Sequence, residues 1–393
     1  MILNKGQEEA LKVAIQRYRD GEKFTTIAGP AGSGKSTLVR FIVEALPFKE
    51  EEICYCAYTG KACQVLLKKG NKNVSTLHKL LYKSVPRPDG TFMRTPKLYT
   101  GYKLIIADEC SMIPKELVDL LLSHRVYVIF LGDNFQLPPV DKDCDNHLLD
   151  NPQAVLTEIL RQAQESEIIQ LSMKIRNQEP ISFFEGNDVK ILPQSELNTG
   201  MLTWADQIIC ATNKTRMYLN NHMRDILQRI GGPQDGDKVI CTRNYWDYLA
   251  ENEDPLVNGT IGFLSKVNQS YLNIPRWAGP PDGGRSIDIT RGIFTSDSGG
   301  VFGTLRMDTN MILTGENSIQ WKTAYRMSKN ERSRGLLPLE FLYGYAITCH
   351  KSQGSQWPNI LVVEEKFPFD KVEHARWLYT AVTRAENKVV LIR

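Results

Sequence analysis

Residues 29–37 read G-P-A-G-S-G-K-S-T, and the run just before them, Phe24-Thr25-Thr26-Ile27-Ala28, reads as a short strand. Gly29, Gly34, Lys35 and Ser36 match the G-x-x-x-x-G-K-[ST] phosphate loop. Glycine suits this loop because a Cβ would block both the tight turn and the close approach of backbone N–H groups to phosphate oxygens. Leu38, Val39, Phe41 and Ile42 predict a helix starting near Lys35, with the positive end of its dipole aimed at the same phosphates. Strand, loop and helix in that order point to a parallel sheet covered by helices. Gly32, Ser33, Gly34, Lys35, Ser36 and Thr37 are the candidate nucleotide contacts. Lys35 is expected to reach the β- and γ-phosphates, and the Ser36 hydroxyl to ligate Mg²⁺.

The sequence has 393 residues, too many for one ordinary core, so two or three domains are expected. A net charge of +3 permits a basic groove without demanding nucleic acid. No apolar run approaches the roughly 20 residues of a membrane span, and Met1-Ile2-Leu3-Asn4-Lys5 lacks the layout of a signal peptide. A cytoplasmic enzyme with no membrane partner is the expectation. Eight cysteines show no pairs at zinc spacing and read as reduced core thiols.

Strand-like runs at 25–28, 53–57, 104–107 and 127–131 alternate with helix-like runs such as 36–46 and 60–68. A polar, proline-rich interruption at 83–97 carries the turn signal Asp89-Gly90, which predicts an inserted β-hairpin with Phe92 at its tip. A second alternating segment begins near Asn151, and residues 205–212 followed by Asn213-Lys214 echo 53–59 followed by Gly60-Lys61. From 262 the chain turns rich in Gly, Pro, Ser and Asp, with short strand-like pieces such as 318–325, and the α/β pattern returns at Leu339. The expected domains are 1–150, with the hairpin at about 83–100; 151–261 with 336–393; and a β-rich insertion at 262–335.

Residues 104–109, L-I-I-A-D-E, form an apolar run ending in two acids, as a buried parallel strand delivering carboxylates to the ligand edge would. Asp108 is placed to hold Mg²⁺ with Ser36, and Glu109 to accept a proton from attacking water. Residues 129–140, I-F-L-G-D-N-F-Q-L-P-P-V, form another strand running into a polar loop, where Gln136 can orient water against a γ-phosphate.

In chain order these segments resemble the motifs of the superfamily 1 helicases, in particular the RecD-like and Dda-like branch. Asn4-Lys5-Gly6-Gln7 resembles the Q motif, 29–37 motif I, 57–62 (A-Y-T-G-K-A) motif Ia and 75–78 (S-T-L-H) motif Ib. Residues 108–112 (D-E-C-S-M) resemble motif II, 132–139 motif III and Leu160-Arg161-Gln162 motif IV. Residues 236–240 (G-D-K-V-I) and 257–262 (V-N-G-T-I-G) resemble the pair before the β-rich insertion. Residues 345–355 (Y-A-I-T-C-H-K-S-Q-G-S) resemble motif V, and 378–385 (L-Y-T-A-V-T-R-A) motif VI.

The resemblance implies an α/β fold with two RecA-like parallel-sheet P-loop domains, a β-hairpin insertion in the first and a β-rich, SH3-like insertion in the second. It implies an ATP- and Mg²⁺-dependent motor on single-stranded DNA, moving 5′ to 3′ and opening duplex at single/double-strand junctions with the Phe92 hairpin as wedge. Gln7 would read adenine, Gly354 would contact nucleotide, and Arg161 and Arg384 would reach the γ-phosphate from the second domain. Thr59, Lys61, Ser75, Thr76, His78 and Pro138 on the first domain, with His350, Lys351, Ser352 and Gln353 on the second, would line the strand path. His78 and His350 have no second ligand at zinc spacing and are not metal candidates. A monomeric motor meeting replication or recombination proteins is the expected context. The rival readings are a DNA-dependent ATPase that strips proteins without parting strands, and a P-loop kinase or transferase. A nuclease-helicase is disfavoured, since no separate carboxylate cluster follows the motor motifs.

Overall fold

Leu104–Ala107 and Tyr127–Gly132 are buried at every residue, as their unbroken apolar runs require of strands covered on both faces. In this computed structural model they lie inside a six-stranded sheet ordered Val74–Thr76, Ile53–Ala57, Leu104–Ala107, Tyr127–Gly132, Phe24–Ala28, Ala154–Val155, with every neighbouring pair parallel. The structure describes residues 3–86, 92–137, 146–252, 254–275, 277, 286–329, 335–366 and 370–393.

Ile27, Leu38, Ile42, Leu104, Ile106 and Ile129 form the core under this sheet and are at most 1% exposed. Each such side chain contributes about 1.5–3 kcal/mol through burial, which makes the sheet a firm platform for the loops at its edge. The helix Lys5–Arg19 packs on this core through Ala10 and Ala14 and starts from a capping box between Asn4 and Gln7.

A second sheet is ordered Ala346–Thr348, Gln207–Cys210, Trp357–Val363, Ala385–Ile392, Val189–Leu192, Phe184–Glu185. Its strands run parallel from Gln207–Cys210 to Val189–Leu192, and Phe184–Glu185 closes the edge antiparallel. The two sheets belong to one compact unit made of residues 1–81, 97–213 and 347–393. They are the two RecA-like halves expected of the sequence.

The other unit comprises 82–96 and 214–346. Its main sheet is antiparallel, ordered Val301–Asp308, Ser286–Ser296, Ile261–Asn273, Lys238–Cys241, Phe341–Tyr343. The expected hairpin is present as Tyr82–Pro86 paired antiparallel with Phe92–Pro96, and its second strand packs near Tyr245–Leu249.

Three boundaries differ from the sequence expectation. Ala154–Val155 joins the first sheet beside Ile27 and Ala28, so that sheet runs past residue 150. Lys238–Cys241 and Phe341–Tyr343 belong to the antiparallel sheet, which therefore starts well before 262 and ends after 335. The stretch 318–325 contains no strand; the helix Trp321–Lys329 occupies most of it, with Ala324 and Met327 turned onto Ile274, Ile289 and Ile319. Apolar residues three apart fit a helix face, and that period prevails over β-propensity here.

Candidate active site

Phe24–Ala28 ends in the phosphate loop, and the helix Lys35–Ala45 begins where the loop closes. The Gly29 N–H donates to the Gly132 carbonyl at 3.0 Å, tying the loop to the neighbouring strand. Gly34 has φ of 80°, and a Cβ there would lie 2.4 Å from Gln7 Nε2 and 2.8 Å from Leu160 Cδ1. Conformation and space both demand glycine. No side chain caps this helix, so its first N–H groups are left for an anion. The Lys35 ammonium curls over the loop, donating to the carbonyls of Gly29 at 2.5 Å and Pro30 at 3.0 Å.

A cavity of about 410 Å³ opens beside the loop. Gly32, Gly34, Lys35 and Ser36 line it from the loop, Asp108, Glu109, Asp133 and Gln136 from the next strands, and Gln356, Thr383 and Arg384 from the second sheet. Gln7, Ser33, Thr37 and Gly354 are outside that lining. The Gln7 amide accepts from the Asn4 N–H at 3.1 Å and donates to the Ser33 and Gly34 carbonyls at 3.3 and 3.4 Å, as a buried strut beneath the loop. Ser33 is likewise buried, with its hydroxyl donating to the Pro30 carbonyl at 2.9 Å. Thr37 is half-buried.

The buried strand Leu104–Ala107 delivers Asp108 and Glu109 to the cavity. Glu109 sits at φ 51° and ψ 48°, a left-handed conformation rare outside glycine, and its N–H donates to Asp108 Oδ1 at 2.9 Å. Its carboxyl is held above the usual glutamate range, chiefly by burial and further by Asp108 and Asp133, while Arg384 and Lys35 pull it down. Arg384, only 2% exposed, brings Nη1 to 3.7 Å from Glu109 Oε1. Its Nε donates to the Thr380 carbonyl at 3.1 Å and its Nη1 to the Ser355 carbonyl at 3.5 Å.

Gln136 Oε1 is buried and has no hydrogen-bond partner among the described residues. A buried amide oxygen facing a polar cavity suits a ligand or water there. The next residue is gripped through its backbone: the Leu137 N–H donates to Thr380 Oγ1 at 2.9 Å, and its carbonyl accepts from Gln353 Nε2 at 2.5 Å. Arg161 opens the short helix Arg161–Gln164 at the rim, where the Leu160 N–H donates to the Gly32 carbonyl at 3.0 Å and Leu160 and Ala163 line the cavity. The side chain of Arg161 lies outside the described residues. The donor set suits a Mg-nucleotide: an uncapped helix start and Lys35 for phosphates, Ser36 and Asp108 as oxygen ligands, and an unsatisfied Gln136.

The residues proposed for a strand path are less uniform. Lys61 sits with its ammonium 3.9 Å from the Trp357 ring centroid. The Thr59 hydroxyl accepts from the Ala62 N–H at 3.2 Å, capping the helix Gly60–Lys68, and donates to the Gly354 carbonyl at 3.3 Å. Ser75 bonds the Thr76 carbonyl, and Thr76 Oγ1 accepts from the Lys79 N–H, both within a half-buried turn. His78 is buried against Tyr58. Ser352 is fully buried with its hydroxyl on the Cys349 carbonyl at 2.7 Å, and Gln353 spends its amide on Leu137. His350 and Lys351 are half-buried, and burial holds the His350 imidazole below its usual pKa. Pro138 and the Phe92 side chain lie outside the described residues.

Three residues with no assigned role in the sequence reading join the site. Asp133 and Tyr379 sit within the motif III- and VI-like segments but draw no attention beside Gln136 and Arg384. Lys69, at the end of the helix Gly60–Lys68, lines the cavity and donates to Ser36 Oγ at 3.3 Å.

The family model described as "AAA domain" matches residues 2–189, and that described as "UvrD-like helicase C-terminal domain" matches residues 343–392. The ATP-dependent RecD2 DNA helicase of Deinococcus radiodurans is 27% identical over 394 residues, covering 94% of this chain and 46% of the relative. The ATP-dependent DNA helicase dda of Enterobacteria phage T4 is 30% identical over 190 residues, covering 44% of this chain and 43% of that protein. The chain thus spans less than half the length of these relatives. A crystal structure of a Pif1 helicase from Bacteroides in complex with ADP-AlF3 and ssDNA aligns over 100% of this chain and 92% of that one, at TM-score 0.49 and 18% identity. Among the described residues no helix is long and apolar enough to cross a membrane.

Proposed function

We propose that the chain is a superfamily 1 helicase of the RecD-like and Dda-like branch, an ATP-driven motor that moves 5′ to 3′ along single-stranded DNA and parts the duplex ahead of it. The observation that carries the proposal is Arg384. A buried arginine from the second sheet reaches a cavity built on the first sheet's phosphate loop and lies 3.7 Å from the first sheet's Glu109.

In this reading the helix start at Lys35 and the Lys35 ammonium hold the phosphates of ATP. Ser36 and Asp108 would hold Mg²⁺, which would supply neutralisation of phosphate charge. Gln136 orients the attacking water, and Glu109 takes its proton. Arg384 neutralises charge as it develops on the transferred phosphoryl group, an effect worth roughly 10³–10⁵ in rate for an arginine of this kind. Because Arg384 comes from the other sheet, hydrolysis depends on the two halves being engaged, and phosphate loss removes the charge that engages them. Alternating grip on the strand by the two halves turns that cycle into movement. Parting one base-pair step costs only about 1.4 kcal/mol on average, so a wedge such as the 82–96 hairpin, carried by a monomer at a single/double-strand junction, is sufficient.

The test is strand displacement on duplexes carrying a single-stranded tail on one end or the other. ATP-dependent displacement from the 5′-tailed duplex alone is expected, and Lys35→Ala should abolish both displacement and hydrolysis while retaining strand binding. DNA-stimulated hydrolysis without displacement on either substrate would overturn the unwinding reading in favour of protein stripping.

A further inference from the structure

We propose that Tyr379 is a positioning residue whose hydroxyl ties the phosphate loop to Asp133 and so locks the loop and the Gln136 turn to the helix that presents Arg384. The inference deepens the reading of the cavity as an ATP-hydrolysing site and rests on it.

Tyr379 is 0% exposed and lies on the helix Lys371–Val382, just before Arg384. Its hydroxyl accepts from the Ala31 N–H at 3.0 Å and donates to Asp133 Oδ2 at 2.5 Å. The roles are forced by chemistry: an amide N–H can only donate, an ionised carboxylate can only accept, and a phenol has one of each to give. Burial, then the Asp133 charge, pushes the phenol pKa well above its usual value, so the hydroxyl keeps its proton.

Asp133 is itself 2% exposed and fully engaged. Its Oδ1 accepts from Arg176 Nη1 at 3.0 Å and from the Phe135 N–H at 3.0 Å. The Gln136 N–H in turn donates to the Asp133 carbonyl at 3.2 Å. The carboxylate therefore shapes the turn that aims Gln136 into the cavity. Arg176 balances the buried charge, and its guanidinium lies 5.1 Å from the Phe135 ring.

The end of the helix and the turn that follows it thus touch three walls of the cavity within six residues: the loop through Tyr379, the Gln136 segment through Thr380, and Glu109 through Arg384. Of these contacts, the Tyr379 hydroxyl alone reaches the phosphate loop itself. A shift of the helix moves loop, water-orienting amide and arginine together, which is the behaviour required if hydrolysis is to follow engagement of the two halves.

Tyr379→Phe isolates the tie, because the ring and its edge-on contact with Phe135 at 5.3 Å are kept and only the hydroxyl is lost. The expected result is a kcat for DNA-stimulated hydrolysis about tenfold lower, the loss of one charge-assisted hydrogen bond in the reacting state, with little change in KM for ATP and a modest fall in melting temperature from the Ala31 N–H and Asp133 oxygen left without the hydroxyl. Tyr379→Phe combined with Asp133→Asn should be no slower than Asp133→Asn alone, since both cut one chain. Hydrogen exchange of the peptide covering Ala31 should quicken in Tyr379→Phe, a readout that needs no activity. A wild-type kcat, additive effects, a loss confined to KM or melting temperature, or unchanged exchange at the loop would each overturn the tie. Wild-type protein whose hydrolysis ignores DNA would instead overturn the motor reading and leave the exchange measurement to decide the tie.

Discussion

Glu109 is pulled in opposite directions by its neighbours, and on the proposed reading the balance sets the pH at which it would act as a base. Burial and two nearby carboxylates raise its pKa above the ordinary 4.5, while Arg384 and Lys35 lower it. A base works only when ionised, so the acid limb of the hydrolysis profile should lie above the ordinary glutamate value. Arg384→Ala removes the largest lowering influence and should move that limb to still higher pH, besides cutting the plateau rate by roughly 10³ or more. The measurement is DNA-stimulated hydrolysis as a function of pH, and a limb that stays in place or falls would refute Glu109 as the base. The position of Asp108 and Glu109 at the cavity was legible because an apolar strand ending in two acids follows a phosphate loop; without that loop the pair would carry little, since charged strand ends are common. Gln7 and Ser352 were not: the same side chains serve a ligand or close a turn, and their tertiary neighbours decide which. Gln7 faces the underside of the loop, and Ser352 faces the Cys349 carbonyl.

At the scale of elements, the phosphate loop was the most readable part because its constraints are local. Gly34 is the sharpest case, and Gly34→Ala should both strain a left-handed backbone and drive a methyl into Gln7 and Leu160. A destabilisation of about 1–3 kcal/mol together with loss of nucleotide binding is expected. Thermal unfolding and titration with a fluorescent ATP analogue check the two effects separately, and normal binding would show that the loop tolerates a relaxed turn. The helix Trp321–Lys329 was hard to read because only Ala324 and Met327 carry its apolar period in a short polar stretch with scattered aromatics, and their packing with Ile274 and Ile319 makes that period decisive.

For the molecule as a whole, the alternation of strands and helices and the echo of 53–59 at 205–212 were enough to expect two parallel sheets. Sheet membership was harder. Lys238–Cys241 pairs with Phe341–Tyr343, about a hundred residues away, and nothing local in K-V-I-C distinguishes a parallel partner from an antiparallel one. If the proposed strand path spans the same two sheets as the cavity, nucleotide and DNA must influence each other's binding reciprocally. A non-hydrolysable ATP analogue should change the affinity for a single-stranded oligonucleotide by roughly 5–150-fold, and the oligonucleotide should change the affinity for the analogue by the same factor. Anisotropy titrations of labelled DNA and labelled nucleotide measure both sides, and independence of the two would contradict a shared motor cycle.

Leu137 gives the join between the sheets an unusual genetic profile. Both of its backbone polar groups are taken by the far side, through Thr380 and Gln353, while its side chain packs in the interior at 8% exposure. Alanine scanning at this position would report lost packing and miss the join, because every residue but proline carries the same amide. Amide-to-ester replacement at 137, or trimming of Thr380 and Gln353, would expose it.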